Sequence, residues 1–145
     1  MPSKSKVCFF FEKNSFTLND RTYLKRFIED IFKKEGKKLD SINYIFCSDK
    51  YLLEINRKYL DHDFYTDIIT FDLSETKAIT AEVYISIDRV RENSKNLNVP
   101  FKMELQRVMI HGALHLCGYN DKSKAQKRDM RVAEDTYLNR IKGST

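Results

Sequence analysis

The 145-residue chain contains no apolar stretch approaching the roughly 20 residues that a membrane-spanning helix needs. Its opening residues, Met1-Pro2-Ser3-Lys4, lack the apolar run of a secretory leader. These absences predict a soluble, cytoplasmic protein with no membrane association. Cysteine is scarce: Cys8, Cys47 and Cys117 are an odd number in unrelated contexts, and no C-x-x-C pair occurs. Neither a disulfide framework nor a ribbon-type zinc or redox site is therefore indicated, and a reducing compartment is the simple inference. No internal repeat, low-complexity tract or linker is present, so one domain spanning residues 1–145 is expected to carry all function. No segment announces an obligate protein partner. Nor does charge of one sign dominate, since 26 Lys+Arg against 21 Asp+Glu give a formal +5. That excess mildly favours polyanions, and a solubilising surface accounts for it equally well.

What the chain does have is hydrophobic periodicity. Val7–Phe11 is a short apolar run and predicts a buried strand. Leu24, Phe27, Ile28, Ile31 and Phe32 fall at helical spacing, with Asn19 or Asp20 as the cap and Gly36 as the stop. Ile42, Tyr44 and Phe46 alternate along a second strand, and Ser48 caps a helix over 49–59 that runs to the polar loop Asp61-His62-Asp63. Residues 67–71 and 81–87 predict two neighbouring strands, and 88–97 a helix that Pro100 separates from a longer one beginning near Phe101 and ended by Gly118. Ser123 and Gln126 form a capping box for a last helix whose apolar face includes Met130, Val132, Ala133, Tyr137 and Ile141. Residues 4–6 and 143–145 are expected to fray. The sum is an α+β body, a small mixed sheet packed with several helices.

Chemistry concentrates in His111-Gly112-Ala113-Leu114-His115-Leu116-Cys117-Gly118-Tyr119-Asn120-Asp121. Two histidines four apart share a helix face, which lets two imidazoles approach one divalent ion. A third ligand requires the chain to leave the helix; Gly118 permits that reversal and Asp121 follows it. Three protein ligands leave a position for solvent, the arrangement of catalytic rather than structural zinc, and such a metal promotes hydrolysis. A His-x-x-x-His pair alone also arises by chance. Asp121 has an alternative role near the cap of the last helix, with Asn120 or a water as competing ligand. Gly112 stands where His-Glu-x-x-His proteases carry their glutamate, so the usual peptide-hydrolysing general base is absent and the pattern speaks against a conventional metalloprotease.

The same segment resembles the His-Gly-x-Leu-His-Leu-x-Gly-Tyr-Asp-His signature of the YbeY family of zinc-dependent endoribonucleases. Thr66-Asp67-Ile68-Ile69-Thr70-Phe71 resembles that family's Thr-Asp-Val-Leu-Ser-Phe block, and Ala81-Glu82-Val83-Tyr84-Ile85-Ser86 its Gly-Asp-Ile-x-Ile-Ser strand; Glu104, Met130 and Glu134 also fit. The likeness runs over roughly residues 40 to 138. It implies a zincin-like arrangement with zinc at the end of a central helix, held by His111, His115 and Asp121. It also implies cleavage of single-stranded RNA in small-subunit ribosomal RNA maturation and ribosome quality control, with ribosomal RNA and the small subunit as partners. Two departures stand out. Asp121 replaces the family's third histidine, which would make a bound water less acidic and shift preference toward harder ions. Leu60 falls where most members carry an arginine associated with RNA binding or catalysis, and Arg57, one turn earlier, is the nearest basic substitute for that catalytic or RNA-binding role, or else an ordinary exposed arginine. Asp67 is a candidate for orienting a histidine ligand or positioning water, with backbone capping as its alternative. Tyr119 is a candidate for phosphate or base contact, with loop packing as the alternative. Lys122 and Lys124, heading a run with Lys127, Arg128 and Arg131, are candidates for RNA backbone binding, with a wet helix face as theirs. Two rivals remain open: a metal hydrolase with another substrate, and a ribosome-associated binding factor with a structural metal.

Overall fold

The computed structural model describes residues 5–12, 16–62 and 65–141. Its strands β1 (Val7–Phe11), β2 (Leu39–Cys47), β3 (Ile68–Asp72) and β4 (Ile79–Ser86) form one mixed sheet in the order β1-β2-β4-β3. The β1–β2 and β2–β4 pairs are parallel and the β3–β4 pair antiparallel. Parallel neighbours need a crossover. Helix α1 (Arg21–Lys34) supplies the first, and α2 (Asp49–Leu60) lies within the second. Helices α3 (Ile87–Leu97), α4 (Phe101–Leu116) and α5 (Lys124–Arg140) complete the α+β architecture that the periodicity predicts.

Alternation along the strands divides the apolar residues between two faces. Ile42, Tyr44 and Phe46 of β2, with Ala81, Val83 and Ile85 of β4, join the main core beneath α1 and α4. Burying one such side chain contributes about 1.5–3 kcal/mol. On the other face, Cys47 and Ile69 meet Leu52 of α2, with Phe71 and Tyr84 packed alongside. Helix α4 is the central element, burying Leu105, Val108, Met109, Ile110, Ala113 and Leu114. The Tyr44 hydroxyl donates to the Met109 carbonyl at 2.8 Å, so the phenol enters the core with its polar atom satisfied.

Gly112 explains how closely α4 approaches the sheet. A Cβ there would stand 3.0 Å from Ile68 Cδ1 and 3.1 Å from Val83 Cγ1. The position that carries a catalytic glutamate in the proteases thus faces the sheet here and has no room for one.

Several expectations shift. Ser48 and Ser123 cap their helices as read, the latter in a full capping box. Asp20 sits at the cap of α1 with φ 56° and makes no side-chain cap bond, because its left-handed backbone does not present the carboxylate to the first amides. Val132, assigned to an apolar face, is 59% exposed, since the buried face of α5 runs through Met130, Glu134 and Tyr137 instead. Strand β3 begins one residue late, at Ile68, and β4 two early, at Ile79. Lys4, Asp63 and residues 143–145 lie outside the described residues. Among the described residues no helix is long and apolar enough to cross a membrane.

Candidate active site

Helix α4, largely buried from Glu104 to Leu114, carries a polar stripe: Glu104, Arg107, His111 and His115, spaced three, four and four residues apart, hence along one face. That stripe forms the floor of a cleft of about 590 Å³. Thr66, Asp67, Ile68 and Thr70, from β3 and its approach, line one wall, and Lys127, Met130, Arg131 and Glu134 of α5 line another; Asp121 closes the end.

The histidines are held by groups that accept and do not donate. His111 Nδ1 lies 2.7 Å from Glu134 Oε2, and His115 Nδ1 lies 3.0 Å from the Tyr119 carbonyl oxygen. Since a carboxylate and a carbonyl only accept, the ring proton of each neutral imidazole resides on Nδ1, and the lone pair on Nε2. That is the tautomer a metal ligand needs, fixed by the kind of partner that metal-binding histidines use. His111 Nε2 stands 3.4 Å from Asp121 Oδ2. Two ligands at about 2.0–2.2 Å from one tetrahedral ion are separated by about 3.3–3.6 Å. The donor set and this one edge therefore fit a zinc-sized ion.

The third vertex is not closed. His115 stacks parallel to His111, with ring centroids 6.4 Å apart and planes 6° from each other. Residues four apart are displaced by about 6 Å along a helix axis, and parallel rings preserve that offset. Accordingly, no three His, Cys, Asp or Glu side chains among the described residues form one compact ligand cluster. Of the three residues expected to converge, His111 and Asp121 stand 3.4 Å apart, and His115 lies beside them in the same cleft with its ring offset along the helix.

Asp121 arrives where it does because Gly118 takes φ 109°, a left-handed value that a side chain would strain. The amide of Gly118 donates to the His115 carbonyl and that of Tyr119 to the Leu114 carbonyl, each at 3.1 Å, closing the end of α4. Downstream, Gln126 Oε1 accepts from the Lys122 and Ser123 amides, both at 3.1 Å.

Charge in the cleft is tightly coupled. Arg107 forks between Glu134 Oε1 at 2.9 Å and Asp135 Oδ1 at 2.7 Å. Burial raises the Glu134 carboxyl, but the bonds from His111 and Arg107 outweigh it and hold the group below the ordinary carboxylate range. His111 shows the reverse balance: burial disfavours its cation, yet the bond to Glu134 and the charges of Glu134, Asp121 and Asp67 lift it above the usual histidine value. Asp67 is pushed up by burial, against the charge of His111 and its backbone hydrogen bonds. Glu104 is raised by burial and then by the charge of Asp67.

The remaining sequence candidates separate. The role of orienting a histidine, considered for Asp67, belongs to Glu134 and the Tyr119 carbonyl; Asp67 Oδ2 instead accepts from Asn93 Nδ2 at 3.5 Å. Arg57 is exposed on α2, which covers the other face of the sheet, and does not line the cleft. Tyr119 turns its hydroxyl to Glu35 Oε1 at 3.0 Å, on the side of α5 away from the cleft. Lys122 and Lys124 are exposed and flank the cap of α5, whereas Lys127 and Arg131 reach the cleft. Glu134 and Arg107 had no assigned role in the sequence reading; the spacing of Arg107 four residues before His111 was the signal that could have marked it.

A family profile described as Endoribonuclease YbeY matches residues 10–142. Curated relatives bearing that name include one from Cytophaga hutchinsonii, 47% identical over 137 residues and covering 93% of this chain and 96% of its own. Another, from Flavobacterium psychrophilum, is 50% identical over 123 residues, covering 85% and 88% respectively. A third, from Porphyromonas gingivalis, is 42% identical over 134 residues, covering 92% and 89%. Among solved structures, the solution structure of a Thermotoga maritima protein superposes with a TM-score of 0.64 at 29% identity, over 92% of this chain and 87% of that one.

Proposed function

Because the chain belongs to the YbeY endoribonuclease family, we propose that its cleft hydrolyses phosphodiester bonds of single-stranded or looped RNA with one divalent metal ion, zinc by preference. The observation that carries this reading is the 3.4 Å edge between His111 Nε2 and Asp121 Oδ2, combined with the Glu134 carboxylate that holds the far nitrogen of the same ring. His111, His115 and Asp121 would hold the ion. When bound, it would acidify a water and withdraw electron density from the phosphate.

The chain's own groups account for the remainder. Glu134 keeps the His111 lone pair on Nε2 and is itself braced by Arg107. Lys127 and Arg131, exposed on α5 at the lip of the cleft, present cations to the phosphate backbone. Asp67, whose carboxyl burial lifts above its ordinary value and which lines the cleft, is suited to take a proton at one oxygen and return it to the leaving oxygen. A single strand reaches this floor where a duplex would be held off by its own grooves. Through its family likeness we assign the chain to ribosomal RNA maturation in the small subunit and to ribosome quality control, acting in the cytoplasm.

The test pairs a fluorescently labelled single-stranded RNA with its duplex counterpart. Pure protein should cut the single strand, lose that activity to a chelator, regain it with zinc and show none as His111→Ala. Cleavage that persists in both the chelated protein and His111→Ala would remove the metal from the mechanism.

A further inference from the structure

We propose that Glu35, at the C-terminal end of α1, is a positioning residue for the metal-ligand loop, acting through Tyr119; the inference rests on the metal reading given above. Glu35 lies 84 residues before Tyr119 and accepts its hydroxyl through Oε1 at 3.0 Å. Through Oε2 it accepts the hydroxyl of Tyr137 on α5 at 2.5 Å. One carboxylate thus ties the loop to two helices by charge-assisted bonds, which are stronger than neutral ones.

The location of Glu35 argues for a dedicated role. It caps the C-terminus of α1 directly after Lys33 and Lys34, where the helix dipole favours cations and opposes a carboxylate. What the anion holds there is the loop that leaves α4 and carries Asp121. Tyr119 is held at three points: its ring hydroxyl by Glu35, its carbonyl by His115 Nδ1 at 3.0 Å and its amide by the Leu114 carbonyl at 3.1 Å. Fixing the tyrosine ring therefore fixes the carbonyl that sets the His115 tautomer, and also the start of the two-residue step to Asp121. Gln126 secures the far side of Asp121 through the Lys122 and Ser123 amides. Glu35, through the Tyr119 ring, and Gln126 thus act on this ligand from its two sides, in addition to the backbone bonds that close α4.

The experiment measures zinc affinity by competition with a chromophoric chelator, the visible spectrum of the cobalt(II)-loaded protein, and the Tm of the apo protein. Parent, Tyr119→Phe, Glu35→Ala, Tyr137→Phe and His111→Ala are compared. Loss of a group that orients a ligand weakens metal binding about 10–100-fold. Tyr119→Phe, which keeps the ring, and Glu35→Ala should both fall in that range and shift the cobalt bands. Tyr137→Phe, which removes the other bond to the same carboxylate, should lower Tm while leaving affinity within about twofold of the parent. The double variant Glu35→Ala/Tyr119→Phe should bind no more weakly than the worse single, as coupled partners do. Parent-like affinity in Tyr119→Phe, or equal weakening in Tyr137→Phe, overturns the proposal and leaves the metal site standing. A parent that binds zinc no better than His111→Ala overturns the metal site and the proposal with it.

Discussion

Replacing Glu134 by glutamine keeps the size and shape of a side chain that is only 7% exposed, so it isolates the charge and the hydrogen-bond pattern. The carboxylate accepts from His111 Nδ1 at 2.7 Å with one oxygen and from Arg107 Nη1 at 2.9 Å with the other. An amide offers one acceptor and one donor. Whichever way it turns, its NH2 group meets either the His111 N–H or the Arg107 guanidinium, and one bond is lost. Leaving a buried donor unmatched costs about 1–3 kcal/mol, which corresponds to several degrees in Tm for a chain of this size. Arg107 keeps its bond to Asp135 at 2.7 Å, so the larger consequence falls on His111. With its ring no longer locked, zinc affinity should drop about 10–100-fold, equivalent to about 1.4–2.7 kcal/mol. Competition titration against a chelator of known affinity measures this directly. Glu104→Gln supplies the comparison, since Glu104 is also buried at 6% exposed and lines the same cleft. An unchanged zinc affinity in Glu134→Gln, or an equal loss in Glu104→Gln, would refute the claim that Glu134 acts by orienting His111.

Glu104 itself carries a pH prediction. Burial, then the charge of Asp67, raises its pKa above the usual glutamate value, so between the unfolded value, about 4.3, and the raised one the folded state binds the extra proton. Stability of the apo protein should decline as pH rises through that window, and Glu104→Gln should flatten the decline in urea melts taken across it; a parallel pair of curves would contradict the assignment. Burial pushes the Cys47 and Cys117 thiols up to about 12, while Cys8 is only half-buried. Iodoacetamide at pH 8 should therefore label Cys8 first, with Cys47 and Cys117 following only in denaturant, as mass spectrometry of the peptides would show; early labelling of either buried thiol would count against the packing described. Gly112→Ala ought to gain about 1 kcal/mol of helix propensity on an open face, but the contacts at 3.0 and 3.1 Å with Ile68 and fully buried Val83 oppose it by about 1–3 kcal/mol. Calorimetry should find Tm lowered, and a rise would mean α4 has room against the sheet.

What could be read from the sequence, and what could not, divides along the range of the interactions. Helix α2 begins after Ser48 and α5 after Ser123 because a hydroxyl reaches an amide three residues on, and a pattern three residues long is visible in any sequence. The Gly118 reversal that carries Asp121 to 3.4 Å from His111 Nε2 is legible for the same reason, whereas the spacing of His111 and His115 puts both rings in one cleft with their centroids 6.4 Å apart. Glu134 is different. It lies 23 residues beyond His111, and only the packing of α5 against α4 brings its carboxylate to the imidazole. Glu35 is 84 residues from Tyr119, on a helix whose own pattern gives no sign of the loop it holds. Lys122 and Lys124 misled in the opposite direction. They are nearest to Asp121 along the chain, yet α5 turns its later residues, Lys127 and Arg131, toward the cleft. Lys124 shares a helix face with Lys127 and Arg131, but it stands about 4.5 and 10.5 Å behind them along the axis, so displacement along α5 rather than rotation leaves it outside the cleft. The residues three and seven positions past Lys124, at Lys127 and Arg131, are therefore the ones for which charge reversal should weaken RNA binding most, and the slope of affinity against salt concentration should fall with each.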